Sequence, residues 1–330
     1  MDAADASDFL TSPGHASAAP AEDSISAIYQ RVAARVVGRE RELELLLAAV
    51  ASRRDILLEG PPGTGKTTLL RAIADEWDIP LILVEGNADL TPAKLIGHHH
   101  PARVLREGYT PENFVPGPLM VAMQSGGFFY LEEFNRAPDD TVNTLLSAMS
   151  ERKLTVPRVG VVEAGPNFRV IGSMNPYDNV GTTRLSTSIH DRLCRLVIDY
   201  QDDQAERDIV GRRTNHDGRL REALMADAVA VTRATREHPD VRQGSSVRGA
   251  IDLVLVAETL ANIRSVRDSE FRAGRFDSES PYPPLMLDSM IVALSGRIHI
   301  DEAVAATAED VLREIWENHF FLAPAAASPG

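Results

Sequence analysis

Residues 60–67 read GPPGTGKT and match the phosphate-loop pattern G-x-x-x-x-G-K-[ST]. A short apolar strand, Ile56 to Leu58, comes directly before this loop, and a helical pattern from Thr67 to Trp77 follows it. Glycines let the backbone curl so that successive N–H groups and the helix N-terminus face phosphate oxygens. Because strand, loop and helix occur in the order that the motif requires, the sequence predicts a site for ATP rather than a chance glycine-rich turn.

The loop also predicts how the nucleotide is held. Lys66 is expected to neutralise the β- and γ-phosphates, and the Thr67 hydroxyl is expected to bind Mg²⁺. The predicted nucleotide-binding residues of this segment are Gly60, Pro61, Pro62, Gly63, Thr64, Gly65, Lys66, Thr67 and Thr68. ATP and Mg²⁺ are therefore the predicted cofactors.

Two acidic residues end a second apolar strand. Phe128 to Leu131 are four large residues that suit a buried strand, and Glu132 and Glu133 follow them. ATP hydrolysis needs one carboxylate near Mg²⁺ and one that activates water. Since consecutive strand residues face opposite ways, we assign Glu132 to the metal and Glu133 to the water. The alternative is that both glutamates only open a solvated loop.

Strands and helices alternate over residues 25–201, which predicts an α/β domain with a central parallel sheet flanked by helices. Helical spacing of apolar residues predicts helices at 39–54 and 139–151. Apolar runs predict three more strands, of which the first is typical of a buried parallel strand. They lie at 81–84, 168–173 and 196–200.

From about residue 202 the pattern changes to successive helices, which predicts a smaller all-helical lid domain over 202–321. The helices are expected at 204–213, 220–238, 246–265, 286–295 and 301–318. Residues 1–24 are rich in Ala, Ser, Asp and Pro and predict a disordered N-terminal arm. The Ala/Pro/Gly-rich residues 322–330 predict a flexible tail.

The composition limits the partners. The 48 acidic residues outnumber the 34 basic ones, for a formal charge of −14 that repels a polyanion such as nucleic acid. There is neither an apolar run of about 20 residues nor a secretion signal, which predicts a cytoplasmic protein with no membrane partner. The single cysteine, Cys194, has no internal disulfide partner and is expected to be a core residue.

Residues 132–138, EEFNRAP, resemble the D-E-[IF]-N-R-A-P segment of AAA+ ATPases of the MoxR/CbbQ-like branch, with Glu132 in place of the first Asp. The resemblance covers about residues 35–260 and implies an AAA+ core, ATP hydrolysis and a ring of subunits, commonly a hexamer. Glu is one methylene longer than Asp. This departure implies shifted metal coordination and slower hydrolysis.

The resemblance implies further site residues. Residues 168–176 are similar to the sensor-1 strand, so Asn175 is expected to position the attacking water; a turn-forming Asn is the alternative. Residues 181–193 resemble the segment with the arginine finger, which implies that Arg192 reaches the ATP of the adjacent subunit. Arg184 and Arg195 are rivals for this role, and a surface ion pair of Arg192 with Asp191 or Asp199 is the alternative.

Two more segments carry expected nucleotide contacts. Residues 245–250 resemble the sensor-2 motif, which places Arg248 at the start of a lid helix and near the phosphates, although a solvated arginine there would look the same. Residues 36–39 resemble the segment lining the adenine pocket, which implies that Val37 and Gly38 contact the base. A short apolar turn before a helix is the alternative.

An inserted loop or hairpin is expected at about residues 98–115, near the central pore of the ring that the resemblance implies. His98, His99 and His100 lie in it, but three neighbours in sequence do not easily converge on one metal ion. A polar pore or substrate loop is the preferred interpretation, and a solvated loop without a special role is the alternative.

The leading functional hypothesis is an oligomeric ATPase that remodels or activates a partner protein as a chaperone. Members of the branch are commonly paired with von Willebrand factor A-domain proteins, which makes such a protein the expected client. One alternative is a nucleotide-gated scaffold that barely hydrolyses ATP. A nucleic-acid motor is another alternative, which the acidic charge disfavours.

Overall fold

The computed structural model describes residues 22–176, 185–214, 219–267 and 280–322. They divide into two compact units, one from the ranges 1–61 and 65–199 and the other from 62–64 and 200–330. Residues 1–21 of the predicted arm (1–24) lie outside the described residues. The same is true of residues 323–330 of the predicted tail (322–330). The first described helix begins at Glu22, three residues before the predicted start of ordered structure.

The first unit alternates strands and helices. Its main strands are β1 (Ile56–Glu59), β2 (Leu81–Glu85), β3 (Gly97–His99), β4 (Phe114–Pro116), β5 (Phe128–Glu132), β6 (Lys153–Val156), β7 (Gly160–Glu163), β8 (Arg169–Met174) and β9 (Cys194–Val197). Its helices are α1 (Glu22–Ala33), α2 (Glu40–Ala51), α3 (Lys66–Glu76), α4 (Pro92–Ile96), α5 (Pro101–Glu107), α6 (Pro118–Ser125), α7 (Asp139–Glu151) and α8 (Thr187–His190).

Five strands form one parallel sheet in the order β2-β5-β8-β1-β9. Side chains of β5, which pairs with β2 on one side and β8 on the other, alternate between two cores, because successive strand residues face opposite ways. Phe129 and Leu131 pack in the core that α4, α6 and α7 cover, whereas Phe128 and Tyr130 pack in the core that α1, α2 and α3 cover. The predicted α/β fold with a central parallel sheet flanked by helices is confirmed.

At the two edge strands, β2 and β9, the structure differs from the predictions of burial and of strand bounds. β2 was expected to be buried, but Leu83 is 42 % exposed because this strand has a neighbour on one side only. β9 begins at Cys194, two residues before the predicted start. Cys194 is exposed on this second edge strand, so the prediction of a core cysteine is wrong.

Two small antiparallel hairpins stand apart from the main sheet. β3 pairs with β4, and the segment between them contains helix α5, within the range predicted as an insertion. β6 pairs with β7, and this second hairpin had no predicted counterpart. Phe114, Met120, Val156 and Val162 form one buried cluster, so the two hairpins pack against each other.

The second unit is mainly helical. Its helices are α9 (Asp203–Thr214), α10 (Arg219–Glu237), α11 (Val247–Arg264), α12 (Tyr282–Leu294) and α13 (Ala308–Glu317). It also contains a two-stranded sheet of β10 (Val241–Gln243) and β11 (His299–Ile300). The last helix was expected from residue 301 but begins at Ala308, because Thr307 and Asp310 form a capping box there. No helix within the described ranges is long and apolar enough to cross a membrane.

Candidate nucleotide site

The phosphate loop lies at the carboxyl edge of the central sheet, between the end of β1 and the start of α3. The backbone N–H of Gly60 donates to the carbonyl of Met174, the last residue of β8, over 3.1 Å. The Lys66 ammonium donates to the carbonyl oxygens of Gly60 and Pro61, each over 2.8 Å. A positive charge therefore sits inside the loop and beside the N-terminus of α3, where an anion is favoured.

Thr67 and Glu132 lie in direct contact. The Thr67 hydroxyl donates to Glu132 Oε1, which joins the start of α3 to the end of β5. A hydroxyl and a carboxylate are the hard oxygen ligands that Mg²⁺ prefers. This donor set fits the metal, and the assignment of Thr67 and Glu132 to Mg²⁺ stays a prediction.

Two hydroxyl groups lie behind this pair, those of Tyr130 and Ser173, and the sequence analysis did not predict either of them as part of the site. Tyr130 OH lies 3.3 Å from Thr67 Oγ1 and donates to Ser173 Oγ over 3.0 Å. Burial is the main cause that raises the pKa of Tyr130 to about 12, so the phenol stays protonated. One signal was available, because Tyr130 precedes Glu132 by two residues and therefore shares its face of the strand.

Glu133 lies just beyond the strand, and its side chain does not join the contact between Thr67 and Glu132 but turns toward Arg136. Its backbone is left-handed, with φ of 52°, and a 3₁₀ turn from Phe134 to Arg136 follows. Its carboxylate is 43 % exposed and pairs with Arg136 Nε over 2.6 Å. The two glutamates therefore face different surroundings, because the strand ends between them and the chain turns.

Asn175 directly follows β8, so its backbone lies at the same carboxyl edge of the sheet as the phosphate loop. The structure thus brings Lys66, Thr67, Glu132 and Asn175 to one edge of the parallel sheet. Glu133 joins them through the turn after β5.

Arg192 lies at the opposite edge. It comes two residues before Cys194, which pairs with Ile56 at the start of β1. Its Nε donates to Ser150 Oγ and its NH1 to the Ser188 carbonyl, each over 2.8 Å. A four-residue strand spans about 13 Å at roughly 3.3 Å per residue, so the phosphate loop of the same chain is far from this side chain.

The rival arginines differ in their surroundings. Arg195 NH2 pairs with the buried Glu59 carboxylate over 2.6 Å, across neighbouring strands of the sheet. Arg184, and the predicted Gly181–Thr182 start of the finger segment, lie outside the described residues.

Val37 and Gly38 lie in the turn between α1 and α2, where Gly38 has φ of 58°. The next residue, Arg39, is buried and donates to the Asp199 carbonyl over 2.6 Å and to Glu42 over 2.8 Å. These hydrogen bonds hold the turn between α1 and α2 next to the segment that follows β9. The adenine contact of Val37 and Gly38 stays a prediction.

Arg248 belongs to the second unit, at the start of α11, and is exposed. Ser246 caps this helix by accepting from the Arg248 N–H. Gly63 belongs to the same unit, and a Cβ atom there would meet Ser246 Oγ at 2.2 Å and Arg248 Cδ at 3.7 Å. Within this unit, Gly63 therefore has no room for a side chain. The phosphate contact of Arg248 stays a prediction.

The three histidines lie on β3 and at the start of α5. The His99 ring makes edge contacts with Tyr109 at 5.2 Å and Phe114 at 5.1 Å. Within the described ranges, no group of three or more His, Cys, Asp or Glu side chains is placed to hold a metal ion.

Known proteins resemble this chain over most of its length. Residues 55–193 match the family model for the AAA domain (dynein-related subfamily). Protein MoxR of Methylorubrum extorquens is 31 % identical over 255 residues, which are 76 % of this chain and 72 % of that protein. Gas vesicle ATPase GvpN of Ancylobacter aquaticus is 28 % identical over 228 residues, 64 % of this chain and 63 % of that protein.

A solved structure shows the same fold. It is a proposed ATPase from Cytophaga hutchinsonii with 22 % identity and a TM-score of 0.50, and the match covers 89 % of this chain and 93 % of that one. The parallel sheet, the phosphate loop after β1 and the acidic pair after β5 define an ATPase of the AAA+ class. Within that class, the chain belongs to the MoxR-like family.

Proposed function

We propose that this ATPase works as a ring, with six subunits as the expected number, and uses ATP hydrolysis to remodel or activate a partner protein. The observation that carries the ring is the position of Arg192 at the amino edge of the sheet, away from its own phosphate loop. An arginine near the γ-phosphate speeds phosphoryl transfer by about three to five orders of magnitude. Only a second copy of the chain would bring Arg192 to such a phosphate.

Each residue at the carboxyl edge of the sheet has its own role in ATP hydrolysis. Lys66 binds the β- and γ-phosphate oxygens, and Thr67 and Glu132 hold Mg²⁺, which neutralises phosphate charge when bound. Glu133 accepts the proton of the attacking water, after its carboxylate leaves Arg136. Asn175 orients that water, and Arg248 contacts the phosphates from the lid.

Exposed apolar residues on the two hairpins support a protein client. Leu105 on α5 is 89 % exposed, Tyr109 is 55 % exposed and Val161 on β7 is 59 % exposed. Removing exposed apolar surface from water is favourable, and several such side chains on one surface are typical of a protein-interaction site. We propose that the insertion at residues 98–115 contacts the client, and the family resemblance supports a von Willebrand factor A-domain protein. A cytoplasmic location stays a prediction from the sequence.

Mixing two inactive variants tests the ring. Lys66→Ala subunits bind no ATP but carry an intact Arg192, and Arg192→Ala subunits bind ATP but carry no finger. Some mixed sites would then be complete, so we expect the mixture to hydrolyse ATP faster than either variant alone. Arg207→Ala is the matched control, since Arg207 pairs with Asp203 on α9, outside the site. A mixture no faster than its components contradicts a finger in trans.

A separate experiment tests the client. Glu133→Gln protein in ATP is expected to hold a purified von Willebrand factor A-domain partner in size-exclusion chromatography, because a trapped ATP state keeps its client bound. Adding Leu105→Asp is expected to weaken this complex. Ile263→Asp is the matched control, because Ile263 is 74 % exposed on α11. Equal effects of both substitutions contradict a specific role of the insertion.

A further inference from the structure

Arg236, near the end of α10, contacts three separate segments of the second unit. Its NH2 group pairs with Glu206 on α9 over 2.8 Å. Its Nε donates to the carbonyl of Ser245, in the turn before α11, over 2.6 Å. The central carbon of its guanidinium lies 3.9 Å from the centre of the Tyr200 ring, in the segment between β9 and α9. One side chain therefore joins this segment, α9 and the turn before α11.

The contacts of Arg236 with Glu206 are buried. Glu206 is only 2 % exposed, and the side chain of Arg236 is 11 % exposed. Glu206 Oε2 also accepts from Arg233 NH1 over 3.3 Å, and the same NH1 donates to the Gln201 carbonyl over 2.9 Å. Hydrogen bonds between charged groups are stronger than neutral ones, and the planar guanidinium gives them a fixed direction. The geometry around Arg236 is therefore well defined.

The turn before α11, residues 243–246, packs closely against α10. The Ser245 N–H donates to Thr235 Oγ1 over 2.9 Å. A Cβ atom at Gly244 would lie 2.6 Å from the backbone nitrogen of Arg236, so the backbone of the turn lies directly against that helix. Since Arg236 also binds the Ser245 carbonyl, its position determines the path of the chain into α11.

The same turn packs against part of the phosphate loop. Ser246 ends the turn and caps α11, where its hydroxyl accepts from the Arg248 N–H over 3.4 Å. Gly63 belongs to the same unit, and a Cβ atom there would meet Ser246 Oγ at 2.2 Å. A shift of the turn would therefore change both the packing of Gly63 and the position of Arg248.

We propose that Arg236 is a positioning residue for ATP hydrolysis. It holds the turn before α11 so that Arg248 is directed at the phosphates of the nucleotide, and it acts through Arg248 rather than by a contact of its own. The inference rests on the proposed function, in which Arg248 contacts the phosphates. The competing interpretation is that Arg236 only stabilises the fold of the second unit.

A double-mutant cycle of Arg236→Ala and Arg248→Ala tests this route. Each single variant is expected to lower kcat/KM for ATP by at least about tenfold, because small displacements of positioned groups are costly. In the Arg248→Ala background, adding Arg236→Ala is expected to change kcat/KM by less than about twofold, since the group that Arg236 positions is already absent. A structural role would give similar losses in both backgrounds.

Conservative variants separate positioning from folding. Arg236→Lys keeps the charge beside Glu206 and should retain more activity than Arg236→Ala. Tyr200→Leu removes the aromatic face but leaves the ion pair, and is expected to lower kcat/KM about threefold, whereas Tyr200→Phe keeps the ring and should stay within about twofold of the parent. If Arg236→Ala does not fold, Tyr200→Leu takes its place in the cycle. Circular-dichroism melting of each variant checks that the fold is kept.

Arg264→Ala is the matched control. Arg264 ends α11, where it pairs with Asp288 over 2.5 Å. At 1.5 Å per residue this ion pair is about 25 Å from the first turn of the helix, so its loss is expected to leave kcat/KM unchanged. A loss as large as that of Arg236→Ala would mean that the rate follows the stability of the unit and not the position of Arg248.

Two results would overturn the inference and leave the proposed function intact. One is an unchanged kcat/KM of Arg236→Ala beside a lowered kcat/KM of Arg248→Ala. The other is an equal loss on removing Arg236 in both backgrounds of the cycle. If Arg248→Ala itself hydrolyses ATP normally, the phosphate contact in the proposed function fails together with the inference, so the two failures are distinguishable.

Discussion

The ring of Phe134 packs directly against Gly172, so closely that a Cβ atom at Gly172 would lie 2.6 Å from Phe134 Cδ2. Phe134 is buried and directly follows Glu133, while Gly172 lies in the middle of β8 and pairs with Leu57. The contact therefore packs the turn that contains Glu133 against the central sheet. Because Gly172 has no side chain, Phe134 packs closely against β8, and this packing positions Glu133, the proposed catalytic base.

Gly172→Ala is expected to displace Phe134 and with it Glu133. Overpacking of this kind costs about 1–3 kcal/mol of stability. We expect kcat for ATP to fall at least about tenfold, since small displacements of positioned groups are costly, while ATP binding is kept. Chemical unfolding and steady-state phosphate release measure the two effects. Gly296→Ala is the control, because a Cβ there meets no described atom within 4 Å; equal behaviour of both variants would refute the positioning role.

Lys66→Ala is expected to abolish ATP binding, because the ammonium inside the loop is lost. Fluorescent ATP analogues in an anisotropy titration measure this. Lys94→Ala is the matched control, since Lys94 Nζ donates to the Asp89 carbonyl on an exposed part of the same unit. Tight binding by the Lys66→Ala protein would show that the nucleotide is held elsewhere.

Glu133→Gln is expected to bind ATP and to stop turnover, because an amide does not accept the proton of the attacking water. Measured together, ATP affinity should stay near that of the parent and phosphate release should fall to background. Glu163→Gln, on the exposed end of β7, is the matched control. Normal hydrolysis by the Glu133→Gln protein would show that the base is another group.

Glu132→Asp is expected to raise the hydrolysis rate at a given Mg²⁺ concentration. The Glu132 carboxylate reaches the Thr67 hydroxyl directly, and a side chain shorter by one methylene would leave more room for the metal between them. Phosphate release over a series of Mg²⁺ concentrations measures the change. Glu132→Gln, which removes the charge and keeps the length, should lower the rate. If Asp slows hydrolysis as much as Gln does, the longer residue is the better ligand here.

Tyr130→Phe is expected to change the pH dependence of stability. The pKa of Tyr130 is raised to about 12 in the folded chain, against about 10 in the unfolded one. Between these values the unfolded chain releases the proton first, so stability falls as the pH rises from 10 toward 12, by up to about 3 kcal/mol. Urea unfolding of both proteins at pH 8 to 11 measures the difference.

The control compares the two proteins at neutral pH. There Tyr130→Phe loses its hydrogen bond to Ser173, which costs about 1 kcal/mol. As the pH rises above 10, the stability of the parent should fall to that of the variant and then below it, because the pH-dependent loss exceeds the contribution of the hydrogen bond. A constant difference across the pH range would mean that Tyr130 does not titrate as described.

Local patterns predicted much of the fold. Helix α7 has the predicted bounds, 139–151, because its apolar spacing and flanking residues lie within one short segment. The start of α13 was missed by seven residues, since the capping box of Thr307 and Asp310 outweighs the apolar pattern before it. The hairpin of β6 and β7 was missed because short, half-exposed strands have little apolar signal.

The sequence by itself determined the phosphate loop, the acidic pair that ends β5 and the α/β class, because each depends on residues close together along the chain. Only the tertiary structure decided that Leu83 and Cys194 lie on edge strands, that Tyr130 stands behind Thr67, and that Arg192 lies far from Lys66. These facts depend on the order of strands in the sheet, which arises from contacts between distant segments and leaves no local pattern in the sequence.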